Sequence, residues 1–254
     1  VLPPLFLEAT CFLLGLVIGS FLNVVIARLP DGRSIVRPPS ACPACGGSIR
    51  WYDNIPVLSW LWLRARCRNC RASISWRYPA VELLTAVLFV LAVRRFGASL
   101  DLGAALLLLA ALVAITGIDL DHQIIPDVIT LPGIAVGAVM AVTLHPAAWL
   151  DTLLGIVVGG GLFLVIILAS RGGMGGGDMK LGAMMGAFLG WKLVLLAILL
   201  GVFSGGAVAI TLLATGTKGR KDPVPFGPFL ALGGVVSLLW GDNLLAWYLG
   251  RFLD

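Results

Sequence analysis

Two aspartates, Asp119 and Asp178, stand where apolar stretches of bilayer-spanning length meet polar loops. The first lies in Gly117-Ile118-Asp119-Leu120-Asp121-His122-Gln123-Ile124-Ile125-Pro126-Asp127 and the second in Gly175-Gly176-Gly177-Asp178-Met179-Lys180. A carboxylate at the edge of a bilayer core is costly and is generally kept for function. Two carboxylates at close range share one proton, because like charges cannot both ionise easily. Such a pair can activate a water and polarise a carbonyl, which is the chemistry of peptide-bond hydrolysis, and its titration belongs to the pair. Gly175 and Gly177, just ahead of Asp178, would let the backbone approach a substrate strand closely. Each acid also has a plainer reading. Asp178 fits a helix cap, Asp127 fits the N-cap of the helix that follows it, and Asp121 fits a solvated charge. Acids at this depth also serve ion and proton pathways.

A second group of residues suits a metal. Cys42-Pro43-Ala44-Cys45 and Cys67-Arg68-Asn69-Cys70 form a C-x2-C…C-x2-C array with a 21-residue spacer. Two thiolates from each knuckle close a tetrahedral four-cysteine site, typical of structural zinc. Arg64, Arg66, Arg68 and Arg71 flank the second knuckle, where positive charge favours thiolates. The alternative is a pair of disulfides or a redox pair, which a cytoplasmic location disfavours. Cys11, within an apolar stretch, reads as a packing residue.

The elements that must position these groups are apolar helices. Of 254 residues, 59% are hydrophobic and 12% charged, against about 25% charged in an ordinary soluble domain. This composition excludes a soluble domain and points to an all-α polytopic membrane protein. The first span covers residues 5–27, with Glu8 and Asn23 as its polar exceptions. Residues 28–78 hold nine of the eighteen basic residues, four of the five cysteines and five prolines, and form a small polar domain outside the bilayer. Residues 79–250 supply the remaining bundle, in apolar segments 79–93, 102–118, 128–144, 150–170, 181–189, 192–215 and 225–249. The total is about eight transmembrane helices, with the interruption at Gly190-Trp191-Lys192 the weakest boundary. No internal repeat is apparent.

Placing residues 28–78 in the cytoplasm puts fourteen basic residues on that side, Arg171, Lys180, Lys218, Arg220 and Lys221 among them. Four remain opposite: Arg94, Arg95, Lys192 and Arg251. The positive-inside rule supports this threading, with Arg94-Arg95 as a local violation. Asp119 and Asp178 then fall on one face. The net charge of +5 is accounted for by orientation and contact with membrane lipid, so no nucleic-acid partner is expected. Gly172 to Gly177 lacks the Gly-Lys-Ser/Thr ending of a phosphate loop, and no G-x-G-x-x-G unit fits the polar region. His122 has no accompanying Ser or Cys constellation.

Taken together and in order, these elements resemble the type IV prepilin peptidases, a family of leader peptidase/N-methyltransferases. The likeness rests on Gly19-Ser20-Phe21-Leu22-Asn23-Val24-Val25-Ile26-Ala27-Arg28-Leu29-Pro30, the two knuckles, Arg77-Tyr78-Pro79-Ala80-Val81-Glu82-Leu83-Leu84-Thr85, the Asp119 segment and Gly175-Gly176-Gly177-Asp178. It implies a bifunctional inner-membrane enzyme with its zinc domain and active site on the cytoplasmic side. Such an enzyme removes the basic leader of prepilins or pseudopilins with an aspartyl dyad, here Asp119 and Asp178, in pilus assembly or type II secretion. It then methylates the new N-terminus from S-adenosylmethionine. Cys42, Cys45, Cys67 and Cys70 match the family's zinc-associated array. Glu82, near the start of the second span, reads either as a contact for the leader's basic residues or as an interfacial charge. Glu82, Asp121, Gly175 and Gly177 are assigned supporting roles. The chain departs from the family at Leu63-Arg64-Ala65-Arg66-Cys67, where many members carry Gly in place of Ala65, and this bears on methyl transfer. The alternative reading, from the residues alone, is an ion- or proton-coupled transporter using the same aspartates.

Overall fold

The chain was studied as a computed structural model that describes residues 3–169, 175–217, 219 and 224–252. Eight α-helices form, and no β-strand is present among the described residues. They are α1 (Pro4–Arg28), α2 (Leu58–Trp62), α3 (Arg77–Phe96), α4 (Leu100–His122), α5 (Asp127–Leu144), α6 (Trp149–Ala169), α7 (Gly176–Ala214) and α8 (Gly227–Phe252). Six of them, α1 and α4 to α8, are long and apolar enough to cross a membrane, α6 together with the short turn before it. The protein is therefore a multi-pass membrane protein. In α3 the apolar run is interrupted by Arg77, Glu82, Arg94 and Arg95. Helix α7 is two helical rods joined at a kink at Gly190, whose φ of 74° and ψ of 176° suit only glycine. Counting α3, and counting α7 as two rods about that kink, gives the expected eight.

The segment boundaries shift in an instructive way. The helix that carries the 181–189 segment begins earlier, at Gly176. Asp178 thus lies in the first helical turn. Likewise α4 runs past Asp119 to His122. Arg171, Lys218, Arg220 and Lys221, used in the charge count, lie outside the described residues.

The chain divides into two compact units, Val1–Leu102 and Gly103–Asp254. In the first, α1 and α3 pack through small residues. A Cβ on Gly19 would stand 2.7 Å from Glu82 Cα, so only a residue without a side chain allows this approach. Asn23, buried on α1, donates from Nδ2 to the carbonyls of Gly19 and Tyr78. At the other end of the pair, Arg94 donates to Glu8 at 2.7 Å. The positive-inside violation at Arg94 is therefore neutralised within the helix pair, and the polar exception at Glu8 is its partner.

In the second unit, Leu108, Leu112 and Ile115 of α4, Phe163 of α6, Leu181, Met184 and Met185 of α7 and Leu230 of α8 form the core. Helices α6 and α7 meet backbone to backbone. The space a Cβ would need at Gly155 and Gly159 is taken by the carbonyls of Gly186 and Gly182, and the reverse also holds. Val165 and Leu168 on α6, and Val202 and Phe203 on α7, are exposed, as lipid-facing residues are.

Candidate active site and metal centre

Asp119 stands at the C-terminus of α4, Asp127 and Asp178 at the N-termini of α5 and α7, and Gly227 opens α8. Asp119, in the last turn of α4, is 4% exposed, and Asp178, in the first turn of α7, is 9% exposed. Asp119 Oδ2 accepts a hydrogen bond of 2.9 Å from the backbone N–H of Gly227, the first residue of α8. That N–H is one of the donors a helix N-terminus leaves without an internal partner. Asp178 makes no side-chain capping bond, and Gly175 is the N-cap. Its reading as a helix cap therefore fails, and among the described residues its carboxylate has no hydrogen-bond donor.

Neighbouring contacts fix these ends. A Cβ at Gly177 would come within 2.8 Å of Ile125 Cβ, so the turn after α4 packs directly on the start of α7. Gln123, at φ 53°, ends α4, its N–H donating to the Asp119 carbonyl. Phe226, next to Gly227, meets the Phe163 ring edge-on at 6.1 Å. Gly175, at the α7 N-cap, is exposed.

The remaining acids separate. Asp121 is exposed, two residues and so roughly opposite Asp119 around the helix. Asp127 does not cap α5: Pro126 holds the N-cap position, and no side-chain cap bond is made. Its two oxygens instead accept bonds of 2.6 Å from Lys180 Nζ, tying α5 to α7. Glu82 belongs to the first unit, is 7% exposed, and accepts a 2.7 Å bond from the N–H of Val57. It is thus a buried anchor for the turn before α2. Gly227 was missed in the sequence. The signal available was Pro225-Phe226-Gly227-Pro228, a turn composition leading into an apolar run.

The polar segment of the first unit folds around the cysteines. All four Sγ atoms lie within 4.8 Å of one another, and Cys42 and Cys70 are 3.8 Å apart. Four sulfurs at about 2.3 Å from one ion would stand about 3.8 Å apart along a tetrahedral edge. A disulfide, at about 2.05 Å, is excluded for that pair. The donor set therefore fits a tetrahedral metal ion. The backbone N–H groups of Cys45 and Ala44 hold the Cys42 thiol down to about 6, favouring the thiolate a metal needs there, while at Cys70 the Ala72 N–H is outweighed by burial and the neighbouring thiols, which push it up to about 11.

The two knuckles are copies of one hairpin, which corrects the expectation of no internal repeat. Cys42-Pro43-Ala44-Cys45-Gly46-Gly47-Ser48-Ile49 aligns with Cys67-Arg68-Asn69-Cys70-Arg71-Ala72-Ser73-Ile74. The backbone bonds Cys42 N to Gly47 O, Gly46 N to Cys42 O and Ile49 N to Ser40 O recur as Cys67 N to Ala72 O, Arg71 N to Cys67 O and Ile74 N to Ala65 O. Gly46 and Arg71 occupy equivalent left-handed positions at φ 68° and 63°. Arg64 and Ala65 are also left-handed, at φ 52° and 57°. Ala65 thus stands at a position where glycine would be unstrained. Arg68 grips Asp53 with two parallel bonds, Nε to Oδ2 at 2.8 Å and Nη2 to Oδ1 at 2.5 Å. Trp62, Arg64, Arg66 and Arg71 line a cationic cleft of about 260 Å3 beside the second knuckle.

Comparison with known proteins decides the family. Residues 13–96 match the bacterial peptidase A24 N-terminal domain, and residues 106–210 match the type IV leader peptidase family. The chain belongs to the type IV leader peptidase family. It is 41% identical to a prepilin leader peptidase/N-methyltransferase of Aeromonas hydrophila, over 95% of this chain and 93% of the relative. A protein of the same name from Myxococcus xanthus is 49% identical over 83% of this chain and 64% of its own length. Another, from Stutzerimonas stutzeri, is 40% identical over 97% and 95%. No solved structure matches. As a member of this family the chain is an enzyme of the peptidase and methyltransferase class, and nothing in the fold or the relatives favours the transporter reading.

Proposed function

We propose that this leader peptidase cleaves the basic leader of type IV prepilins or pseudopilins at the cytoplasmic face of the inner membrane. Asp119 and Asp178 act as its catalytic dyad. The observation that carries the reading is the burial of two acids at adjoining helix ends, one of them held by a backbone N–H. A prepilin leader is basic and precedes an apolar helix, so its scissile bond lies at the membrane surface where such helix ends lie. Water attacks the carbonyl between the two carboxylates, one accepting its proton while the other supplies a proton to the carbonyl oxygen. Gly177 lets Ile125 pack directly on the first turn of α7 beside Asp178, and Gly175, exposed at the N-cap, lets the preceding turn lie close to an extended substrate.

The division of labour follows the sequence: 5–27 as first span, 28–78 as the zinc domain, and 79–250 as the peptidase bundle. A structural zinc ion on Cys42, Cys45, Cys67 and Cys70 would supply folding free energy to a segment with little apolar core. The second activity is methylation of the newly exposed N-terminus, for which S-adenosylmethionine supplies an electrophilic methyl group. The guanidinium cleft beside the second knuckle would suit the carboxylate end of that donor.

Incubation with a prepilin and S-adenosylmethionine, followed by intact-mass measurement, tests both halves. The expected products are the free leader and a pilin heavier by one methyl group. Asp119→Asn and Asp178→Asn chains that stay folded are expected to cleave nothing measurable. Wild-type turnover by either variant would remove the dyad.

A further inference from the structure

The proposed dyad is treated as two equivalent acids sharing a proton, but the geometry is not symmetric. Asp119 Oδ2 receives the Gly227 N–H at 2.9 Å in a buried setting. Asp178 is equally buried and, among the described residues, receives no donor. Asp178 lies in the first turn of α7, whose dipole favours its charge, whereas Asp119 lies in the last turn of α4, whose dipole opposes charge, and beside the start of α8, whose dipole favours it, so the dipoles do not select Asp119. The direct N–H does discriminate, because a hydrogen bond to a charged acceptor in a dry site is much stronger than one to its neutral form. The glycine is needed for a second reason: a Cβ at position 227 would stand 2.7 Å from Oδ2 and 3.1 Å from Cγ of Asp119.

We infer that Gly227 is a positioning residue that localises the charge of the pair on Asp119, leaving the shared proton on Asp178. This rests on the reading of the two acids as catalytic and divides their roles. Asp119 takes a proton from water as the water oxygen bonds to the scissile carbonyl carbon, and Asp178 gives its proton to the carbonyl oxygen. On collapse, Asp119 returns its proton to the leaving nitrogen as the C–N bond breaks. Asp178 recovers a proton from a hydroxyl of the diol, and the pair is restored.

Infrared spectra of the full chain, carrying carbon-13 in the aspartate carboxyls, read the proton directly. The wild type is expected to show the carbonyl stretch of a buried, protonated aspartic acid. That band disappears in Asp178→Asn and persists in Asp119→Asn. A wild type without such a band, or a band that vanishes only with Asp119→Asn, overturns the inference. The second arm is Gly227→Ala, which keeps the N–H but pushes the carboxylate away from it. Its kcat for leader cleavage is expected to fall about tenfold to a hundredfold, as when a preorganised donor is misplaced. KM and methylation of an already cleaved pilin stay unchanged. Unchanged kcat, or equal loss of both activities, overturns the positioning role. The infrared arm needs no substrate, so a wild type that fails to cleave prepilin would sink the functional reading separately.

Discussion

Replacing Gly46 by alanine isolates the backbone cost of a zinc knuckle. Gly46 has φ 68°, and nothing lies within 4 Å of a Cβ built on it, so the substitution meets no steric obstacle. What remains is conformational. A left-handed L-residue costs about 1–2 kcal/mol, and alanine recovers about 0.4–1 kcal/mol through the less flexible unfolded chain. The net loss is about 1 kcal/mol, or about fivefold in the equilibrium between folded, metal-holding knuckle and open segment. Titrating the purified protein with a competing chelator, with metal release read by an indicator dye, is expected to move the half-release point about fivefold lower. The equivalent position in the second hairpin gives the opposite experiment. Arg71, at φ 63°, carries the strain that Gly46 avoids, so Arg71→Gly is expected to move half-release about fivefold higher. An unchanged midpoint in Gly46→Ala, or shifts of the same sign in the two variants, would refute the claim that the hairpins share one strained geometry.

Gly159→Val drives a branched side chain into the Gly182 carbonyl and should lower the thermal midpoint of the detergent-solubilised protein, with overpacking costing about 1–3 kcal/mol. Glu82→Gln keeps an acceptor for the Val57 N–H but makes it neutral; a loss of about 1 kcal/mol, seen as faster proteolysis of residues 51–62, is expected. Asp53, with Arg68 bonded to it, titrates below the ordinary carboxylate range. Its contribution is therefore fully present above the unfolded value of about 4 and is lost as pH falls through the lower folded value. Metal retention in the wild type should then outlast that of Asp53→Asn at neutral pH, the two converging in strong acid.

The helices were legible because their signal is length and apolarity, which depend on no partner. The metal cluster was legible because C-x2-C spacing already forces two sulfurs onto one side of a turn. What the residues hid was hydrogen-bond partnership. Asp127 looks like an N-cap from its place before Val128, yet its oxygens go to Lys180, 53 residues away. Glu82, near the start of a span, gives no local sign of its partner, the N–H of Val57, 25 residues away. Arg94 looks like an orientation error until Glu8 is seen against it. In each case the local pattern was compatible with two partners, and tertiary packing chose the distant one. The hairpin repeat escaped notice because only its cysteines, serines and isoleucines coincide; its backbone bonds make it plain.

The depth of the two acids is set by residues that have no side chains. In lipid, helices gain little from burying apolar surface against one another, so close backbone approach must hold them. Gly155 and Gly159 of α6 interlock with Gly186 and Gly182 of α7, one turn apart on each helix. Sliding either helix by one residue would drive a Cβ into a carbonyl, so the pair locks the axial register as well as the distance. Asp178 lies four residues before Gly182, about 6 Å along the axis, and inherits that register. Asp119 is set in a different way, by the N–H of Gly227 at the end of a helix. One carboxylate is therefore placed by its own helix, through glycines that fix its height. The other is placed by a neighbouring helix through the N–H that it presents. An exchange of roles between the two acids would need both arrangements to change, which is the physical reason to expect a dyad with fixed polarity.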